Sequence, residues 1–369
     1  MALSTIPFSG LGADASNQGV NFRNLIINGD MSIAQRGTSA TGLGNGDLGY
    51  HTCDRWRFFE SGSATGEFTM SQSTDVPTGQ GFSKSIKMDC TTADASIASG
   101  ESFGLQQRFE GQMLQHLKKG TSNAESLTAS FWVKSNKTGT YSVSLYDSDN
   151  ARIIGNTYTI NSANTWEKKT ITFSGDTTGA FNNDNNYSFN ILFALVMASN
   201  FTSYDNTSWN SYADSRFGYG HTVNMLDNTA NEWYITGVQL EVGTSASDFE
   251  FLPYDVNLQR CQRYFQKGYS DADNAVHAGR GQGTTAVDFH FSLVTPLRSS
   301  PTITQSGTGW RVFKPSSTLS DSSSTPTVAR FYELNPYIVL RHSGHSGITD
   351  NYLFGISPNT LTYYFDSEL

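Results

Sequence analysis

The chain is poor in charge. Only 15% of its 369 residues are Asp, Glu, Lys or Arg, against roughly a quarter in ordinary soluble domains. The 24 basic residues fall short of the 33 acidic ones, for a net charge of −9. No Lys/Arg cluster stands out, so the electrostatic footprint of a nucleic-acid-binding protein is missing and no nucleic acid partner is expected. Cysteine is scarce too. Cys53, Cys90 and Cys261 are odd in number and widely separated, which excludes a disulfide framework or zinc site and points to reduced thiols made in a cytoplasm. Long apolar runs are absent. The longest, 189–198, contains Asn190 and is half of the roughly 20 residues that a bilayer demands, so no membrane insertion is expected. The first residues lack the basic start and apolar block of a secretory signal. Heptads and internal repeats are missing, which excludes a coiled-coil stalk or solenoid. So are the nucleophile elbow, the P-loop, the zinc-protease helix and a strand-linked GxGxxG. No catalytic residue is indicated, and the chain reads as a non-enzyme.

What is present is sheet-forming material. Aromatic residues make up 13%, with 24 Phe and 17 Tyr, far more than a solvated coil carries. Short runs rich in β-branched and aromatic residues recur between Gly, Asn, Asp and Ser clusters. They predict strands at 24–27, 54–59, 85–89, 103–109, 127–134, 140–146, 152–158, 165–173, 189–197 and 232–241. Tyr141, Val143 and Leu145 alternate with Ser142, Ser144 and Tyr146, so one face of that strand belongs to a core. The run 189–197 is apolar almost throughout, as for a strand covered on both sides, by a second sheet and by a neighbouring molecule. A helix is predicted over 110–119 from Met113, Leu114 and Leu117. A second, over 253–268, follows from Asp255 as N-cap, Leu258, Cys261 and Phe265 on one face, and Gly268 as stop. Beyond it, strands are predicted at 286–294, 302–305, 309–313, 327–334, 337–342, 352–356 and 361–365, with a Ser-rich exposed loop at 315–327.

The fold class expected is therefore mainly β: a jelly-roll β-sandwich over 24–252, a linking helix at 253–268 and a smaller C-terminal β-domain at 269–369. Residues 1–23 show neither helical nor strand periodicity and read as an N-terminal docking arm.

The stretch NLIINGDMSIAQRGTS, with Tyr50 and CDRWRF after it, resembles a domain found in many bacteriophage tail-fibre and other virion proteins. The resemblance continues through SLTASFWVKS, WYITGVQLEVG, FEFLPYDVNLQRCQRYFQK and FHFSLVTPLRSSPTIT, and covers most of the chain. Residues 24–251 also look like jelly-roll carbohydrate-binding modules, in the NLIINGD and WYITGVQLE strands. The resemblance implies a phage structural protein located in the virion and made in the host cytoplasm. Its implied partners are other virion proteins through the arm, copies of itself as a homotrimer, and host-surface glycan. Such modules commonly hold a structural Ca²⁺ with an acidic residue in the last strand. Thr236 and Gly237 stand there instead, and Asp30 offers one carboxylate where Ca²⁺ takes about six to eight oxygens. No cofactor is expected, with a structural Ca²⁺ at Asp30 the alternative.

Among candidate sites, the loop 200–231 carries Tyr204, Trp209, Tyr212, Phe217 and Tyr219 among Asn, Asp and Ser. Aromatic planes cover the apolar faces of sugars while amides and carboxylates satisfy hydroxyls, so these five are the candidate glycan-binding residues. The same rings could instead pack the loop onto the sandwich or a neighbouring subunit. Asp147–Asn150 and 181–187 read as turns, not metal sites. His342 and His345 read as a Gly-rich loop near a symmetry axis, with a metal pair the alternative. The function expected is a tail-fibre or tail-tip adhesin contacting host glycans. The alternatives are a capsid decoration or head-fibre protein and, behind both, a polysaccharide depolymerase.

Overall fold

The computed structural model describes residues 22–269, 277–307, 310–314, 317–322, 324–349, 353–358 and 361–369. The expected docking arm lies outside the described residues except for Phe22 and Arg23. The chain forms two compact units that divide between Tyr254 and Asp255.

The first unit is an antiparallel sandwich. Its six-stranded sheet runs β1 (Ser39–Leu43), β4 (Glu67–Ser73), β5 (Ser85–Thr92), β13 (Glu232–Val242), β7 (Leu127–Ser135), β10 (Glu167–Phe173). The seven-stranded sheet runs β12 (Asn210–Ser211), β9 (Arg152–Ile160), β8 (Gly139–Asp147), β11 (Tyr187–Met197), β6 (Ser102–Glu110), β3 (Arg57–Ser61), β2 (Gly49–Tyr50). From β5 to β8 the chain crosses between the sheets at every step, in the manner of jelly rolls. Alternation fixes which face is inside. Tyr141, Val143 and Leu145 of β8, and Leu127, Ala129, Phe131 and Val133 of β7, are buried in one core. Phe131 meets Phe193 edge-on across the sandwich at 5.0 Å, a geometry favoured by the ring quadrupoles.

The motifs behind the family resemblance tie this unit together. Asn28, at φ 59, accepts from Ile33 N–H (3.0 Å) and donates through Nδ2 to the Asp54 carbonyl (3.0 Å), while Trp56 Nε1 donates to the Asn28 carbonyl (3.0 Å). Residues 24–27 form no strand, contrary to expectation. Leu25 N–H donates to the Leu240 carbonyl, and Asn24 Oδ1 accepts from Leu240 and Ile26 N–H, each at 3.0 Å. This contact lies beside the irregularity in the β13–β7 register between Thr236 and Gln239. Gly237 there has φ 62, and a Cβ would stand 2.5 Å from the Phe82 ring, so only glycine fits.

Two other expectations are corrected. The helix over 110–119 is instead two short 3-10 turns, Gly111–Met113 and Gln115–Leu117. Glycines at both ends and a short span leave an α-helix too little to propagate. The apolar strand β11 is indeed buried on both faces, but its second cover is the protein's own segment 198–221, so no neighbouring molecule is needed.

The second unit opens with α1 (Tyr254–Gln262). The helix ends before the predicted 268 because Phe265 begins β14 (Phe265–Tyr269), which pairs with β23 (Leu361–Asp366) beside β17 (Thr302–Gly307). A seven-stranded sheet runs β19 (Ser317–Ser322), β18 (Trp310–Lys314), β22 (Leu353–Pro358), β15 (His277–Gln282), β16 (Ala286–Ser292), β21 (Tyr337–Ser343), β20 (Thr327–Phe331). The Ser-rich stretch expected to be a loop therefore supplies β19, paired with β18. Val287, Phe289, Trp310, Leu340, Tyr363 and Phe365 share this unit's core.

Candidate functional site

The outer face of the seven-stranded sheet in the first unit is built from side chains that alternate away from the core. Directly opposed residues of antiparallel strands share a face. One row therefore runs Tyr50, Arg57, Gln106, Leu192, Ser144 across β2, β3, β6, β11 and β8. The next runs Arg108, Asn190, Tyr146, Ile153 across β6, β11, β8 and β9. Each row passes from a polar end to an apolar one, so the face has two halves of opposite character.

One half is apolar and covered. Ile153, Leu192, Ala194 and Met197 bury themselves under Phe201 and Phe217 of the segment 198–221, with Phe59 and Tyr146 at the margin. Gly155 N–H donates to the Asn206 carbonyl at 2.8 Å, and a Cβ on Gly155 would stand 2.2 Å from Asn206 Nδ2. The segment is pinned at its far end by His221. The ring nitrogen Nδ1 accepts from Ser142 N–H (3.1 Å), and Nε2 faces the Val223 carbonyl at 2.7 Å, which requires the neutral Nε2–H form. Burial lowers the His221 pKa to about 4.

The other half is polar and half-exposed. The Arg108 guanidinium lies 4.4 Å from the Tyr187 ring centre, and Arg36 and Arg55 flank Tyr50 at 5.4 and 5.9 Å. Arg55 Nη2 donates to the Arg108 carbonyl at 2.6 Å. Burial and then the Arg108 charge pull the Arg57 pKa down, while burial pushes the Tyr187 hydroxyl up. Tyr187 is thus a neutral hydrogen-bonding phenol at neutral pH. Beneath them Asn190 Nδ2 donates to Gln106 Oε1 at 2.6 Å, and both side chains are buried. Gln106 Nε2 and Asn190 Oδ1 have no partner. Turning both amides over exchanges their roles, so this pair leaves one amide N–H₂ and one carbonyl without a bond whichever way it is assigned.

The five rings singled out in the sequence go to different places. Phe217 is buried in the covered half and Tyr212 stands at the border, 4.9 Å from Tyr146, its hydroxyl donating to Asp214 Oδ1 at 2.6 Å. Among the five, only Tyr212 and Phe217 have rings in contact, at 6.2 Å. Tyr204 is exposed beside Arg216, and Tyr219 is partly exposed. Trp209 packs against the main core and donates to the Ser174 carbonyl at 2.7 Å. It borders a recess of about 20 Å³ lined also by Leu127, Asp176, Phe181 and Phe189, room for about one water molecule and not a sugar ring. Lys119 lies 5.6 Å from the Trp209 ring. It is held in a buried ionic network with Asp147 (2.5 Å) and Asp176 (3.1 Å), where Arg152 also grips Asp176. These contacts lock the turn after β8. The sequence reading missed Tyr50, Arg57, Arg108, Tyr146 and Tyr187, because they lie on five strands spread over more than 130 residues of the chain.

In the second unit, His342 Nδ1 is 2.6 Å from His345 Nε2, and His342 Nε2 is 2.6 Å from the Ser324 carbonyl. Both rings are buried. The simplest proton assignment has His342 donating to Ser324 and accepting from His345, so the two rings hydrogen-bond each other directly. Burial lowers the His342 pKa to about 4. Asp30 accepts from Ser32 Oγ at 3.1 Å. Among the described residues, no three His, Cys, Asp or Glu side chains gather as a metal set.

No family model and no curated protein matches the chain. Several solved structures resemble it loosely. The enzymatically active domain of bacteriophage CBA120 tailspike protein 4 is 15% identical over 51% of this chain and 19% of that one, with a TM-score of 0.29. A family 11 carbohydrate-binding module of Clostridium thermocellum is 10% identical over 56% and 97%, at 0.28. The tandem CBM22 domains of Paenibacillus barcinonensis Xyn10C are 10% identical over 89% and 98%, at 0.24. The chain spans about a fifth of the tailspike domain and nearly the whole of the two module structures. Likenesses at these scores carry no inference about activity. The fold itself is a mainly β protein, a sandwich followed by a smaller β-domain.

Proposed function

We propose that the protein is a non-enzymatic bacteriophage virion component, a tail-fibre or tail-tip adhesin that attaches to host-surface glycan through the open half of the sandwich face. The observation that carries this reading is the grouping of Tyr50, Tyr146, Tyr187 and Tyr212 with Arg57 and Arg108 on one half-exposed sheet surface. A sugar ring offers an apolar C–H face and a polar rim. Phenol rings remove the first from water, while guanidinium and hydroxyl groups bond the second. The resemblance of NLIINGD, CDRWRF and WYITGVQLEVG to phage virion proteins supports the setting, and repetition of weak sites in a homotrimer would raise adsorption by avidity.

The test combines location and binding. Immunogold labelling of purified particles should place the chain on the tail; label on capsid faces would move it to the decoration class. On a glycan array, Tyr187→Ala should weaken the strongest signals about five- to tenfold and reduce cell adsorption, with the oligomer intact. Unchanged binding in that variant would remove the face from consideration. Shortening of host polysaccharide on incubation would instead establish a depolymerase.

A further inference from the structure

We infer that the open half of the face selects an acidic saccharide, with a sugar carboxylate seated on Arg57 between Tyr50, Gln106 and Arg108. This rests on the glycan reading above and names the substrate class of that site. The chain as a whole is acidic, at −9, yet this half-face gathers arginines: Arg57 and Arg108 on it, Arg36 and Arg55 at its Tyr50 edge. Among the described residues the Arg57 side chain has no hydrogen-bond or ion-pair partner. The charged or ionisable groups that act on it are Arg108, Tyr50 and Tyr187, with no carboxylate among them. A half-buried cation beside a second cation is held at a cost, and an anion arriving between them relieves it.

The chemistry around Arg57 favours a planar, two-oxygen acceptor. Guanidinium binds carboxylate through two parallel N–H···O bonds. Directly across the strand pair stands the Gln106–Asn190 amide pair, with one N–H₂ and one carbonyl unpartnered. A saccharide explains the rest of the surface better than a bare anion does, because a small anion would leave the rings of Tyr50, Tyr146 and Tyr187 with nothing to cover. On a sugar, the hydroxyls adjoining the carboxylate meet the phenol groups while the ring lies on the aromatic surface.

The experiment uses the full chain and matched probes: oligogalacturonate against its carboxyl-reduced neutral form, and sialylated against asialo glycans, with inorganic phosphate as a free-anion control. At least one acidic member should bind about tenfold or more tightly than its neutral partner, as expected for charge-assisted hydrogen bonds. The excess should fade with added salt. Arg57→Gln should erase it and leave the residual neutral-sugar binding, and Arg57→Lys should restore only part. Should either variant misfold, the salt dependence of the unaltered protein and the Arg108→Gln variant give the same answer. Equal binding within every pair, or an acidic preference that survives Arg57→Gln in folded protein, overturns the inference while sparing glycan attachment. Phosphate binding as tightly as any acidic sugar overturns the saccharide part. Binding of no sugar at all overturns both readings.

Discussion

The covered and open halves of the sandwich face are drawn from the same strands, and they differ by a few outward residues. Along β11, Leu192, Ala194 and Met197 face outward in the covered half, and Asn190 faces outward in the open one. Along β6 and β3 the outward groups opposite the open half are Gln106, Arg108 and Arg57. Apolar outward residues gain from cover, at about 1.5 to 3 kcal/mol for each large side chain fully buried. The segment 198–221 lies where those residues are. Arginine and phenol groups gain nothing from apolar cover and would lose hydration, so Tyr50, Arg57, Arg108 and Tyr187 stay partly exposed above the buried Gln106–Asn190 pair. The cover and the opening are two outcomes of one pattern of side chains, and each can be broken separately.

The largest expected effect belongs to the covered half. Phe217→Ala removes a buried ring that bridges Phe59, Phe201 and Tyr212, and should cost about 3 kcal/mol in a urea titration. Glycan binding by Tyr187 should persist if the halves are independent. A fall in both would show that the segment also shapes the open half.

Acid should loosen the same cover. The folded His221 pKa is depressed to about 4, below its unfolded value. Its contribution is therefore complete above about pH 6.5 and is lost as the pH falls from there toward 4, with about 2 kcal/mol gone by pH 5. Comparing urea midpoints at pH 7.5 and 5 for the protein and a His221→Gln variant isolates this share. An equal pH dependence in the two would contradict it. His342 titrates with the same sign in the second unit, so each unit should be followed by its own probe.

On the open half, Tyr212→Ala lies at the border and should weaken glycan binding about two- to fivefold, less than Tyr187→Ala. Trp209→Ala should lower stability and leave affinity in the folded fraction unchanged, because its ring serves the core and the Lys119 network. The smallest effect concerns stability alone. Arg57→Gln removes a cation without a partner and should shift the unfolding free energy by no more than about 0.5 kcal/mol. A large loss would assign Arg57 a structural role and close the comparison.

Much of the fold was legible in the sequence because period-two alternation, as in Tyr141, Val143 and Leu145, reports a buried face wherever the strand lies. The apolar run in β11 reported burial on both faces but not the identity of the cover. That depends on where 198–221 returns. Ser317–Ser322 was unreadable as a strand, since Ser and Asp have low β-propensity and pairing with β18 decides the outcome. Phe265 fits a helical period and a strand equally well. The open half was invisible for a further reason. Arg57, Gln106, Arg108, Tyr187 and Asn190 become neighbours only through the order β3, β6, β11. The aromatic loop was conspicuous in sequence, but most of its rings are used in packing or stand apart.

A crystal structure of the chain soaked with the strongest array glycan tests the central claim most directly. The account predicts saccharide density lying across Tyr50, Arg57, Arg108 and Tyr187. Density at Trp209, on the second unit or nowhere on the sandwich would contradict it.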